Sequence, residues 1–230
     1  MGDVTQQKIS SLIQTLERRF GKAERPDVVP PSASADAAAV ATVAAKNAQI
    51  VAGVVLGLHG PPAEGFEAAR KLMSHFVDWN EVRVSRSASL ATALGRLPRA
   101  PVRVALLQRF LEAYFLRQRS LNLDHLYTLK HYEIRRFLSD LEAFDREELA
   151  AMLLTGFSFP VFPPSDQLRE MALLTGIIKA KTTTLQMAKK FETSLSEKAE
   201  PLYALYANLY ALVYDLEGQK LFVKRRNNKT

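Results

Sequence analysis

The chain has 230 residues, 47% of them hydrophobic, which is enough to bury an apolar core in one large domain or in two small lobes. It contains no cysteine, and this excludes a disulfide, a catalytic thiolate and a cysteine-ligated iron–sulfur cluster. The net charge of +7 allows a polyanionic partner; the basic excess lies in residues 1–140 and in the tail 218–230, while the stretch between them is acidic.

The beginning of the chain predicts two helices joined by a linker. Apolar residues recur at helical spacing over 6–21, and the segment Arg25–Asp36 holds three prolines and reads as a linker. An alanine-rich helix over 36–58 ends before Gly60-Pro61-Pro62, and another helix is expected over 64–76. The sequence DWNEVRVS then predicts a turn with a short extended or helical piece.

The rest of the chain also predicts helices, over 87–95, 100–118 and 124–140. Asp145, with Glu148 three residues later, has the spacing of a capping box and starts a helix that ends at Phe157. Ser165 is placed to cap a helix that ends at Leu174, and further helices fit 182–192 and 200–217. No convincing alternating strand pattern occurs, so we predict an all-α chain of eight to eleven helices.

The expected organisation has three parts. Residues 1–37 form an N-terminal helix and linker, residues 38–217 a helical domain, and residues 218–230 a basic tail. No signal peptide is visible, and the longest apolar stretch, Ile50–Leu58, is far too short for a membrane span. We therefore expect a cytoplasmic protein with no membrane partner. The four histidines lack metal-ligand spacing, so no metal site is expected.

Three segments together carry a family resemblance. They are HFVDWNEVRVS at His75–Ser85 with ATALGRLP at Ala91–Pro98, LKHYEIRRFLSDL at Leu129–Leu141 leading into EAFDREELAAMLL, and FPVFPPSDQLREMALLTGI at Phe159–Ile177. In this order they resemble the helix-hairpin-helix DNA glycosylase superfamily, in particular a divergent endonuclease III-like group, over roughly residues 48–215. The resemblance implies an all-α, two-lobed fold. One lobe comes from the middle of the chain and the other pairs N-terminal with C-terminal helices, with DNA gripped between them.

The family's two catalytic positions carry other residues here. Its hairpin, Leu-Pro-Gly-Val-Gly-x-Lys-Thr-Ala, matches Leu141–Leu149 and places the lysine on Glu147, while its aspartate falls on Ser165. A carboxylate cannot form the Schiff base that the lysine amine forms with the sugar, and a serine cannot stabilise positive charge on it. Asp166 is the neighbouring candidate substitute, although one step along a helix turns a side chain by about 100°. The structural alternative is a helix cap at Ser165, with Asp166 favouring the helix dipole.

The hairpin has also lost the features with which the family grips phosphate. Ala143 and Asp145 replace the two glycines that let the backbone approach a phosphate. Five carboxylates and one arginine lie between Asp140 and Glu148, and this net negative charge repels a DNA backbone.

Several cationic or polar residues are candidates for contact with DNA. His59 or Leu58 lies where the family inserts a polar side chain into the gap left by a flipped base, and a helix-ending loop before Gly60 is the structural alternative for His59. The remaining candidates lie near the family's DNA-facing surface or in the tail: Arg83, Arg86, Lys130, His131, Arg135, Arg136, Lys224, Arg225 and Arg226. The alternative for these cations is a solvated face with local ion pairs. Tyr203, Tyr206, Tyr210 and Tyr214 recur at helical spacing and are interpreted as core aromatics.

Three functions remain open from the sequence. The leading hypothesis is a catalytically degenerate glycosylase homologue that acts as a binder of double-stranded DNA or as a scaffold for a protein partner. The second is an active glycosylase without lyase activity that uses Asp166. The third is a helical protein-interaction module with no nucleic-acid role. No cofactor is expected in any of them.

Overall fold

The computed structural model describes residues 2–23, 25, 37–95 and 97–227, with side chains described for 6–23, 25, 45–95 and 97–216. Within these residues the chain forms helices and no strand. The helices, in chain order, are α1 Gly2–Phe20, α2 Ala37–Gly57, α3 Pro62–His75, α4 Trp79–Val84, α5 Ser87–Leu94, α6 Ala100–Gln118, α7 His125–Thr128, α8 His131–Asp140, α9 Arg146–Phe157, α10 Asp166–Leu174, α11 Thr184–Ser194 and α12 Ala199–Asn227. The all-α prediction is confirmed.

Twelve helices are described instead of the predicted eight to eleven, because the expected helix over 124–140 is two helices. Leu129 and Lys130 between them adopt extended backbone conformations, with ψ of 150° and 156°. This break gives α8 its own start, since the backbone N–H of Lys130 donates to Glu133 Oε2 at 2.8 Å. The segment DWNEVRVS contains a helix, α4, which Asp78 caps by accepting from the N–H of Glu81 at 2.7 Å.

The chain divides into two compact units. The middle unit comprises Pro26–Leu58 and Pro62–Phe157, and therefore contains α2 to α9. In this unit α2 packs against α3, α6 and α9, and α6 also packs against α4 and α5. Its core is built from fully buried side chains on several helices, including Val55, Leu72, Leu90, Phe110 and Met152.

The terminal unit comprises Met1–Arg25, His59–Pro61 and Ser158–Thr230, and therefore contains α1 and α10 to α12. α1 packs against α11 and α12 through the buried residues Ile9, Ile13 and Leu16. Arg19 of α1 also forms an ion pair with Asp215 of α12. The sequence analysis grouped α1 with the linker in a separate segment 1–37, whereas the contacts join α1 to the C-terminal helices.

α12 carries the tyrosine series. Tyr203, Tyr206 and Tyr210 are buried, and the rings of Tyr206 and Tyr210 meet edge to face with centroids 5.1 Å apart. The helix runs on to Asn227, past the predicted end at 217. No helix among the described residues is both long enough and apolar enough to cross a membrane.

A close helix crossing in the middle unit depends on glycines. A Cβ atom added to Gly65 of α3 would lie less than 3.0 Å from the backbone of Gly53 and Gly57 of α2. The atoms that this Cβ would meet belong to the backbone, which cannot move aside like a side chain, so the two helices approach this closely because Gly65 has no Cβ. Directly before Gly65 in α3, Glu64 forms an ion pair at 3.2 Å with Arg103 of α6, whose side chain is 2% exposed.

Candidate nucleic-acid interface

The turn that matches the family's hairpin connects α8 to α9 and contains a residue with a left-handed backbone conformation. Leu141 follows α8, and Glu142 adopts a left-handed conformation with φ of 52°. The resemblance places the family's proline on Glu142, but the ring of a proline fixes φ near about −65°. The backbone of this hairpin therefore departs from the family motif at that residue.

The N-terminus of α9 is capped by the carboxylates of Asp145 and Glu148. The N–H of Asp145 donates to Glu148 Oε2 at 2.8 Å, and the N–H of Glu148 donates to Asp145 Oδ1 at 2.8 Å. The predicted capping box is confirmed. An anion at this helix terminus has to displace a bound carboxylate from each of these two N–H groups, because they are already used.

Two residues of α6, Arg109 and Phe110, contact the hairpin. Arg109 donates from Nε to the carbonyl of Ala143 at 2.7 Å and from Nη2 to Glu148 Oε2 at 3.1 Å. The ring of Phe144 stacks on that of Phe110 with centroids 5.4 Å apart. Glu148 is only 8% exposed, so its carboxylate serves the fold, and Arg109 offsets the cost of burying it.

The outer surface of the hairpin is acidic. Asp140, Glu142 and Asp145 are exposed, and Glu147 is half-buried at the family's lysine position. Within the described residues, no group of three or more His, Cys, Asp or Glu side chains has a metal-binding arrangement. This hairpin offers no amine for a Schiff base, and its capping box already occupies the backbone N–H groups of Asp145 and Glu148.

The family's aspartate position lies in the terminal unit, at the start of α10. Ser165 is 1% exposed and occupies the N-cap position, but its hydroxyl makes no capping hydrogen bond. The predicted capping role of its side chain is therefore wrong in its detail, because the hydroxyl does not reach the first turn. Asp166 begins the helix and is exposed. At this helix start, only Asp166 presents a carboxylate to solvent.

Arg83 and Arg86 have different environments in the middle unit. The guanidinium of Arg83 is 14% exposed, pairs with Glu112, bonds to Asn80 and lies over the ring of Phe115 at 4.2 Å from its centroid. These contacts support the structural alternative for Arg83. Arg86 lies exposed at the N-cap of α5, where it remains available to solvent.

Four predicted DNA contacts come together on α8. Lys130 precedes the helix, His131 begins it, and Arg135 and Arg136 lie in its middle, all four of them exposed. The sequence analysis missed Tyr132, which is 67% exposed beside them. An aromatic residue between basic ones was the signal that pointed to it.

The remaining candidates lie in the terminal unit. His59 is half-buried with φ of 61°, and its carbonyl accepts from the Tyr214 hydroxyl at 3.4 Å. The side chains of Lys224, Arg225 and Arg226 lie outside the described residues. Their contact with DNA stays a prediction, as does that of His59.

Solved structures with this arrangement of helices are DNA glycosylases. A trapped endonuclease III–DNA covalent intermediate is 12% identical, with a TM-score of 0.52 over 89% of this chain and 84% of that chain. The chain has the endonuclease III-like glycosylase fold. A second structure with this fold is H. pylori 3-methyladenine DNA glycosylase bound to 1,N6-ethenoadenine, 14% identical with a TM-score of 0.54 over 95% of this chain and 97% of that chain. No protein-family model and no curated protein matches the sequence.

The glycosylase fold confirms the predicted family resemblance and fold class. It does not determine the chemistry, because a fold hosts whatever its side chains allow. In this chain the hairpin of the glycosylase fold carries Glu147 and a closed capping box, and α10 begins with a buried serine followed by an exposed aspartate.

Proposed function

We propose that this chain is a catalytically degenerate glycosylase-fold protein that binds double-stranded DNA without cleaving it. The observation that carries the proposal is the capping box at the start of α9, in which Asp145 and Glu148 each accept a hydrogen bond from the other's backbone N–H at 2.8 Å. A carboxylate at Glu147 adds negative charge where a Schiff-base enzyme needs an amine. Both changes remove chemistry from the hairpin and leave the fold intact.

Two observations support DNA as the partner. The two glycosylase-fold structures described above contain DNA in one case and a modified base in the other. In this chain, Arg86, Lys130, Arg135 and Arg136 are exposed cations. Cations of this kind hold phosphates in a sequence-independent and salt-dependent way.

The test is binding of the purified full chain to duplex DNA with an abasic-site analogue and to undamaged duplex, at two salt concentrations. We expect salt-sensitive binding, because each neutralised phosphate contributes about 0.9 to the slope of log affinity against log salt. Parallel samples with a natural abasic site and borohydride report any Schiff base. Trapped covalent complex would refute the degenerate hairpin, and absence of binding at both salts would refute DNA as the partner.

An active glycosylase without lyase activity is the second candidate, because Asp166 presents an exposed carboxylate in the first turn of α10. The test is release of a damaged base from duplex DNA by the wild type, by Asp166→Asn and by Glu170→Gln. Glu170 lies on the same helix and is also exposed, so its substitution is a charge-matched control. Base release that disappears only in Asp166→Asn establishes this candidate, and no release by the wild type eliminates it.

A further inference from the structure

α8 presents one apolar face and one solvent face. Ile134, Phe137 and Leu138 point inward and are buried. The exposed residues of α8 are His131, Tyr132, Arg135, Arg136, Ser139 and Asp140, and among them Tyr132, Arg135, Arg136 and Ser139 follow one another at spacings of one or three residues. We call these four residues the α8 face.

Helix stability does not explain the charges of α8. Lys130 lies at the N-terminus and Asp140 is the last residue of the helix. A cation at the N-terminus and an anion at the C-terminus oppose the helix dipole, and each costs about 0.3–1 kcal/mol at the surface. Arg136 gains little in return, because its Nε lies 4.0 Å from Asp140 Oδ2, whereas Arg117 approaches the same oxygen at 3.4 Å. The helix dipole therefore does not favour Lys130, and the distant ion pair with Asp140 contributes little to holding Arg136.

The exposed aromatic ring of the α8 face is held in position. The Tyr132 hydroxyl bonds to Glu133 Oε1 at 3.1 Å, and Glu133 Oε2 accepts from the N–H of Lys130 at 2.8 Å. The ring thus stays 67% exposed while its phenol end is tied to the start of the helix. An apolar ring held in this way loses little rotational freedom on stacking against a flat partner.

We propose that the α8 face binds single-stranded nucleic acid, with Arg135 and Arg136 on successive phosphates and Tyr132 stacked on an unpaired base. The inference rests on the proposed binding of duplex DNA and adds a contact to an unpaired segment, such as an overhang, at the α8 face. Charge complementarity favours a polyanion, and an exposed aromatic ring one helical turn before two arginines favours a polyanion with flat apolar faces. In a duplex those faces are stacked inside the helix, whereas an unpaired strand exposes them.

The experiment measures fluorescence anisotropy of labelled single-stranded, fully duplex and overhang-bearing oligonucleotides with the full chain. We expect the single strand and the overhang to bind more tightly than the blunt duplex. Tyr132→Ala should lose about fivefold to 150-fold in affinity for unpaired DNA, as expected for one stacked base. Tyr132→Phe keeps the ring and should remain within about threefold of the wild type, since stacking does not need the hydroxyl.

The controls separate this inference from general electrostatics. Arg135→Ala and Arg136→Ala should each lower the salt slope by about 0.7, the value for one phosphate on a single strand. Lys189→Ala removes an exposed charge from α11 and should leave the affinity for the single strand unchanged. Polyglutamate should not displace the single strand, and displacement at matched charge would show that the face binds an acidic protein instead.

Two failures are distinguishable. If the abasic duplex still binds but Tyr132→Ala binds every oligonucleotide like the wild type, the α8 proposal is wrong and the DNA-binding function stands. If no oligonucleotide binds to a chain whose circular dichroism is helical, both proposals are wrong.

Discussion

Replacing Gly65 by alanine should destabilise the middle unit. The new Cβ would lie closer than 3.0 Å to backbone atoms of Gly53 and Gly57, so α2 and α3 have to separate along their crossing. Overpacking against backbone costs about 3 kcal/mol, and the better helix propensity of alanine returns about 1 kcal/mol. We expect the free energy of unfolding to fall by about 2 kcal/mol.

Gly156 of α9 provides the matched control. It is also a buried glycine inside a helix, but a Cβ there would meet the Val54 side chain at 3.6 Å, which is ordinary van der Waals contact. Gly156→Ala should therefore raise the free energy of unfolding by about 1 kcal/mol through helix propensity alone. The two variants carry the same chemical change and differ only in the space available.

Urea denaturation of both variants measures the difference. Trp79 is the single tryptophan, is 7% exposed and lies in α4, so its fluorescence reports unfolding of the middle unit. With a slope of about 2 kcal/mol per molar urea, the two midpoints should differ by about 1.5 M. A Gly65→Ala midpoint equal to or above that of Gly156→Ala would refute the close crossing of α2 and α3.

Three further predictions concern the hairpin, the arginines and the tyrosines. Glu142→Gly should stabilise the chain by about 1 kcal/mol, because Glu142 has a φ of 52° that glycine adopts without strain. Glu142→Pro restores the family residue but should destabilise the chain, because proline cannot adopt a positive φ. The same urea assay distinguishes the two variants. Arg83→Ala should lower the free energy of unfolding by about 1–2 kcal/mol because its packed contacts are lost, whereas Arg86→Ala should leave it unchanged and weaken duplex binding. Burial raises the pKa of Tyr203 from 10.0 to about 12. The contribution of Tyr203 to the free energy of unfolding should therefore be complete below pH 10 and be lost as the pH rises through about 12. A Tyr203→Phe variant whose alkaline unfolding is as steep as that of the wild type would contradict this.

The sequence predicted what depends on neighbouring residues. The capping box of Asp145 and Glu148 spans three residues, and both of its hydrogen bonds are present. The helix boundaries of α5 and α6 and the all-α class followed from local apolar spacing. In each case the interacting groups are close along the chain.

What could not be predicted depends on contacts between distant residues or on backbone angles. Arg109 forms hydrogen bonds with Ala143, 34 residues away in sequence, and with Glu148, 39 residues away, and no local sequence pattern predicts either hydrogen bond. The positive φ of Glu142 is set by the turn that the two flanking helices impose. The sequence places Tyr132 among basic residues, but its 67% exposure is a property of the folded unit and does not follow from the helical spacing.

The interleaving of the two units has a consequence for synthesis of the chain. The middle unit is nearly continuous in sequence, so a nascent chain holds all of its helices once Phe157 has been made. α1 has to wait for α11 and α12, since Arg19 and its partner Asp215 are 196 residues apart. Until then the apolar stripe of Ile9, Ile13 and Leu16 has no native surface to cover it. Vectorial folding therefore completes the middle unit first, and leaves an early amphipathic helix exposed to aggregation or to chaperones while the rest of the chain is translated.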